Sequence, residues 1–317
     1  MALTESTKEN FGDCSDVLAR RRARSAWLLI APMLVVLSLV ALWPLVRTIA
    51  FSFTDASLAD SGGGNFIGFR NYIAYSNGVW SGILVDGDWW RSVSNTLIFT
   101  VVSVSLETII GMVVALILNQ DFRGRGLVRA AVLIPWATPT VVSAKLWAWL
   151  LNDQYGLIND LLMKIGLIEV PLAWTADPDL VMLTIIMVDV WKAVPFMALL
   201  LLAALQLVPK DCLEAARVDG VSRLRVFFSV ILPMIWAPLT VAVIFRTLDA
   251  LRVFDVVYVM TSNNVNTMTM SIYARQNLVD FLDVGYGSAV STCLVLIILI
   301  FTMVYIRVSG LRLGKGD

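Results

Sequence analysis

The side chains that could do chemistry in this chain are few, and most lie in unusual places. There is no histidine, which removes the commonest general base and metal ligand. Cys14, Cys212 and Cys293 are far apart and form no CxxC, so neither a disulfide framework nor a zinc site is indicated. No cluster of carboxylates or cysteines has catalytic spacing, and no metal site is expected. The phosphate-binding pattern G-x-x-x-x-G-K-[ST] is absent; the stretch from Gly124 to Gly126 lacks its lysine and its spacing. What remains is a set of charges inside long apolar runs: Glu107, Lys145, Asp189, Lys192, Arg246, Asp249, Arg252 and Asp255. Charges in such runs face a helix-bundle interior or a water-filled cavity. Asp189 and Lys192 are three apart and can pair on one helix face; Arg246, Asp249, Arg252 and Asp255 recur every third residue as a self-neutralising stripe. Two readings stay open: structural ion pairs joining two helices, or the polar wall of a cavity.

The elements that must hold these charges are membrane helices. Of 317 residues, 58% are apolar and 15% charged, against about 25% charged in soluble domains. With 24 basic and 24 acidic residues there is no net charge to favour nucleic acid. Six stretches are long and apolar enough to span a bilayer: Ala26–Val46, Val93–Leu118, Leu127–Leu151, Leu180–Leu207, Ile235–Phe254 and Tyr286–Ile306. The third is interrupted by Pro135 and Pro139; with Pro195 in the fourth, these can bend their helices. The first is too long for the apolar core of a cleaved secretory signal. The expected fold class is an all-α integral membrane protein, with a cytoplasmic tail over 1–25 and a six-span domain over 26–317.

Lysine and arginine orient the spans. They crowd the N-terminal tail (Lys8, Arg20, Arg21, Arg22, Arg24) and the loops after spans two and four (Arg123, Arg125, Arg129; Lys210, Arg217, Arg223, Arg225). The C-terminal tail adds Arg307, Arg312 and Lys315. The opposite segments hold only Arg47, Arg70, Arg91, Lys164 and Arg275, so both termini are expected in the cytoplasm. Trp80, Trp89 and Trp90 suit an interfacial helix before span two. On the same outer side, 152–178 and the polar stretch from Met260 to Met268 are either solvated connectors or contacts for an external protein.

The loop over 208–233 is the most distinctive segment. Pro209 ends the preceding helix, and Asp211 with Glu214 three residues on has the form of a capping box. Leu213, Ala216 and Val218 would sit near one another on a short amphipathic helix. Gly220 stops it, and Ser222 starts a second helix that runs to Pro233. The result is a compact elbow whose Ala215–Ala216 pair allows close approach by another protein.

Glu214-Ala215-Ala216, three residues, Gly220, nine residues, then Val230-x-Leu232-Pro233 resembles the EAA signature of permease subunits of bacterial ATP-binding-cassette importers, with Val230 in place of the usual isoleucine. Phe66-Ile-Gly-Phe-Arg-Asn-Tyr72, Arg129-Ala-Ala-Val-Leu-Ile-Pro135, Gly156-Leu-Ile-Asn159, Val190-Trp-Lys-Ala-Val-Pro-Phe196 and the run from Arg246 to Asp255 extend the likeness from about residue 26. Together they resemble the carbohydrate branch, that of the maltose-importer larger permease and the trehalose-importer permeases, without the maltose protein's periplasmic insertion.

The resemblance implies a type I importer permease core in the bacterial cytoplasmic membrane. Glu214, Ala215, Ala216, Asp219 and Gly220 would dock into a separate ATPase dimer. That dimer would bind ATP and Mg; this chain would bind no cofactor and catalyse nothing. The other expected partners are a homologous second permease, an external solute-binding protein and a carbohydrate. Trp191, Lys192, Phe196, Arg246 and Asp249 offer the mixture of aromatic faces and hydrogen-bonding groups that a sugar needs. The rival reading is half of an ion-gradient-driven secondary transporter, which would need inverted repeats or a membrane carboxylate that cycles protons; no internal repeat is seen, and such a carrier has no use for the long loop over 208–233.

Overall fold

The apolar runs fold as helices because lipid offers no partner to a free backbone N–H or C=O. The computed structural model describes residues 22–60 and 64–309. Lys8, Cys14, Arg20, Arg21, Arg312 and Lys315, and with them nearly all of the 1–25 tail, lie outside the described residues. Four helices are long and apolar enough to cross a membrane: α1 (Arg22–Phe51), α2 (Gly87–Leu118), α6 (Val181–Leu205) and α12 (Val284–Val308). Two bent pairs would bring the number to six. One is α3 (Arg125–Ala137) with α4 (Thr140–Leu150), bent by 90°. The other is α8 (Arg223–Met234) with the helix Trp236–Thr261, bent by 75°. The latter is itself interrupted, giving α9 (Trp236–Leu251) and α10 (Asp255–Thr261). Short helices complete the chain: α5 (Leu157–Lys164), α7 (Lys210–Val218) and α11 (Met270–Arg275).

The prolines act unequally. Pro135 sits inside α3 and Pro195 inside α6, both assigned as continuous helix. Pro139 marks the break, standing in extended conformation before α4. A proline there cannot donate the helix hydrogen bond, and it drives the preceding Thr138 out of the helical region (ψ 141°).

Helices α2 and α6 form the spine of the bundle. A Cβ at Gly111 would lie 2.9 Å from Met197 Cγ and 3.2 Å from the Ala198 nitrogen, so the glycine sets how near α2 and α6 can approach. Two apolar clusters lie along this spine. One gathers Ile83, Trp89, Phe99, Ile185, Met270 and Ile272; the other gathers Met112, Leu118, Met197, Leu201, Leu205 and Ile235 near the elbow. By contrast, the apolar window of α1 has no buried residue, and its second half, from Trp43, packs against α12.

The segment between α1 and α2 departs from expectation. Instead of an interfacial helix it makes a hairpin, β1 (Ala74–Ser76) and β2 (Val79–Ser81), turned by Asn77 (φ 51°) and Gly78 (φ 82°). Asn-Gly suits this turn because both central residues need positive φ. Trp80 lies on β2 facing Tyr75, with ring centroids 4.9 Å apart. Trp89 is buried in the first turn of α2, and only Trp90 is exposed there.

Candidate functional site

Three helices converge on one guanidinium. Arg246 of α9 holds Glu107 of α2 in a fork, Nε to Oε2 at 2.6 Å and Nη2 to Oε1 at 2.8 Å. Its Nη2 also donates to Asp189 of α6, and Nη1 to Asp249 at 3.1 Å. Glu107 and Arg246 are buried, and Asp189 nearly so. The hub lies between the two apolar clusters, where taking a charge from water is affordable only with good partners. Pairing of Asp189 with Lys192, expected from their spacing, is not what forms: Lys192 Nζ donates instead to the Thr138 carbonyl at 2.6 Å. Pro139 explains the switch, because the break it imposes leaves that carbonyl without a helical partner.

A cavity of about 720 Å³ opens beside the hub. Two interruptions of helix face it, residues 138–139 between α3 and α4 and residues 252–254 between α9 and α10. Irregular backbone at membrane depth is tolerated where it lines a cavity rather than lipid. Lys192, Phe196, Arg246 and Asp249 line it, as the residue types suggested. Trp191 does not; it packs edge-on against Trp147 with centroids 5.4 Å apart. The sequence reading missed Trp136 and Phe245, which flank Phe196 at 5.5 and 5.7 Å and complete an aromatic wall. Glu107, one of the charges in the apolar runs, is the fork partner of Arg246, while Lys145 makes no ion pair among the described residues. Arg252 Nη2 reaches Asp249 at 3.4 Å, so the i,i+3 pair exists and also lines the cavity.

At the far end of α6 the elbow stands out from the bundle. Helix α7 begins at Lys210, one residue before the expected cap, and places Asp211 in its first turn, where a negative charge meets the helix dipole favourably. Leu213, Phe227 and Ile231 are partly buried and pack against the lower apolar cluster. Val218 is 87% exposed. Gly220 closes the helix in the left-handed region (φ 69°), with the Val221 N–H donating to the Ala216 carbonyl at 3.1 Å, a Schellman-type end. Ser222 precedes α8 but makes no side-chain cap. Glu214, Ala215, Asp219 and Gly220 are exposed, Ala216 is half-buried, and nothing lies within 4 Å of a Cβ built on Gly220.

The end of the bundle that carries the hairpin is tied by a second polar cluster. Asp86 caps α2 through the Asp88 N–H at 2.9 Å and accepts from the hydroxyls of Tyr273 and, at 2.8 Å, Tyr286. Burial alone would raise the Asp86 carboxyl, but these donors outweigh it and hold it below the usual carboxylate range. Tyr273 is pushed up to about 12, by burial first and then by donation to Asp86. The stretch from Met260 to Met268 is not a free connector: Asn95 of α2 donates to the carbonyls of Val265 and Met268 at 3.2 and 3.1 Å. In 152–178, Asn159 binds the Leu172 backbone and the Trp174 indole.

Comparison with known proteins points the same way as the geometry. Residues 107–313 match the family described as binding-protein-dependent transport system inner membrane component. The trehalose/maltose transport system permease protein MalF of Thermococcus litoralis is 41% identical over 93% of this chain and 97% of its own length. The sulfoquinovosyl glycerol transport system permease protein SmoG of Agrobacterium fabrum is 36% identical over 89% of each chain. A chain in the crystal structure of a bacterial ABC transporter that imports the acidic polysaccharide alginate shares the fold, with a TM-score of 0.77 at 20% identity over 94% of this chain and 99% of that one.

Proposed function

This chain belongs to the family of binding-protein-dependent transport system inner membrane components, and from that premise we propose that it is the permease subunit of an ATP-driven carbohydrate importer. The observation that carries the reading is the exposed elbow at the end of α6. A surface that presents Glu214, Ala215, Asp219 and Gly220 beyond the bundle suits docking by a separate motor. The ATPase dimer binds ATP and Mg, and this chain binds neither. A homologous second permease completes the pathway, and an external solute-binding protein delivers the sugar. The six spans, counted with each bent pair as one, cross the bacterial cytoplasmic membrane with both termini inside. An ion-gradient carrier has no use for the elbow, and that alternative is set aside.

In this reading the ATPase subunits close on ATP and carry the elbow with them as a rigid lever. The spans then exchange inward and outward openings. ATP drives the exchange only through its higher affinity for the closed state. The cavity beside the hub is this chain's share of the pathway, with Lys192, Phe196, Arg246 and Asp249 among its walls. Its volume falls within the usual range for small-molecule sites, about 300–1,000 Å³.

The test is Gly220→Val in the assembled importer in proteoliposomes. A β-branched residue at φ 69° is strained, and no neighbour inside the chain resists its volume. Uptake is expected to fall at least about tenfold while the protein stays in the membrane and ATP hydrolysis no longer responds to the loaded binding protein. Wild-type uptake by this variant would refute the docking role.

A further inference from the structure

We infer that the exposed face of α4 packs against a membrane helix of the second permease, and that a carboxylate on that helix pairs with Lys145. The inference rests on the importer reading above and names the surface through which that partner binds. Helix α4 has two distinct sides. Ser143 and Ala144 are buried, and Trp147 packs on Trp191. Val141, Val142, Lys145, Leu146 and Trp149 form the opposite side as one helical stripe, and all five are exposed. Lys145 stands in the middle of this 11-residue helix and lies outside the wall of the cavity. Two residues on, Trp147 meets Trp191 near the middle of the 25-residue α6, which sets Lys145 deep in the bilayer.

Lipid does not suit this face. A long cationic side chain escapes the hydrocarbon by snorkelling when it sits near a helix end, and Lys145 does not. The other long exposed faces differ: α1 carries no charge between Arg24 and Arg47, and α12 none before Arg307. On α2 the one charge between Arg91 and Leu118 is the buried Glu107. A cation taken out of water needs an anion beside it, and Lys145 has no such partner among the described residues.

Depth selects the partner. In the importer reading the ATPase meets the elbow at the cytoplasmic end and the binding protein stays outside, so only another membrane subunit reaches Lys145. A second copy of this chain does not serve. The exposed stripe of α4 holds no acidic residue, and a two-fold contact through it would oppose two lysines.

The experiment uses the assembled importer in its native membrane, with the photoreactive amino acid benzoylphenylalanine replacing Leu146. Ultraviolet light is expected to join it to the second permease, close to an aspartate or glutamate of one of that subunit's spans. Adducts with lipid alone, with the ATPase, with the binding protein or with another copy of this chain overturn the inference. Lys145→Glu is then expected to reduce the second permease recovered with the tagged chain at least about fivefold, while Lys145→Arg keeps recovery within about twofold of wild type. A chain that failed to insert would mimic the first result, so the cross-linked carboxylate is changed to lysine in the Lys145→Glu background. This swap is expected to restore recovery to at least about half of the wild-type level. Wild-type recovery with Lys145→Glu alone, or no return in the swap, overturns the inference. A wild-type chain that purifies without any second membrane subunit would instead defeat the importer reading itself, and this inference with it.

Discussion

At the scale of single residues, Arg246 decides between the two readings that the sequence left open for the intramembrane charges, because it serves both. It joins α2, α6 and α9 through Glu107 and Asp189, and it borders the cavity. Removing one member of a buried pair strands the others, so Arg246→Ala is expected to lower stability by about 3–5 kcal/mol, read as thermal unfolding of the purified complex. Lys192→Ala leaves only a backbone carbonyl unpaired and should lower stability by about 1–3 kcal/mol; unchanged unfolding of Arg246→Ala would remove the hub from the account. Sequence spacing could show that Asp189 and Lys192 share a helix face, but not that each would prefer a tertiary partner. Glu107 was harder still, since its partner lies 139 residues away and nothing local marks it. A second prediction concerns Asp86. Its carboxyl is held below its ordinary value of 3.8, so the stability it contributes is present above that value and is lost as pH falls through the depressed one. The gap in unfolding temperature between wild type and Asp86→Asn should therefore be constant near neutral pH and close in acid. Tyr273, raised from 10.0 to about 12, runs the opposite way: its contribution is complete below pH 10 and is lost as pH rises through 12. A wild-type to Tyr273→Phe gap that is flat across that alkaline window would contradict the assignment.

At the scale of elements, what the sequence revealed well were the apolar runs and the chain breaks at Pro139 and Gly220, because backbone chemistry there is local. Burial was less legible. Val218 is exposed and Trp89 buried, and the sequence assigned neither a side: facing depends on what packs against a helix, and short elements carry too few turns to fix it. The crossing of α2 and α6 offers a direct test. Gly111→Val places side-chain carbon against Met197 and the α6 backbone, and overpacking of this kind costs about 1–3 kcal/mol. Gly126→Val, where nothing lies within 4 Å, serves as the control and should change far less. Equal effects of the two would show that the crossing is not set by the glycine.

At the scale of the whole molecule, the proposed topology predicts a pattern of access. In a background without Cys14, Cys212 and Cys293, a cysteine at Asn77 should react with a membrane-impermeant maleimide in intact cells. One at Ser25 or Ser309 should react only after permeabilisation. Labelling of Ser25 in intact cells would invert the orientation. The basic residues supply this orientation as an expectation that the labelling tests, whereas the two bent pairs make the number of crossings depend on geometry that hydropathy does not report. The family match and the shared fold agree with the bundle.

The hub also constrains how the protein is made. Glu107 leaves the ribosome 139 residues before Arg246, and at about 5–20 residues per second that is a wait of roughly 7–28 s. During that interval a carboxylate has entered the insertion machinery while its counter-ion is still being translated. In the proposed topology α2 therefore carries an unpaired carboxylate until α9 arrives, and a nascent chain stalled before residue 246 is expected to remain bound to the translocon rather than partition into lipid.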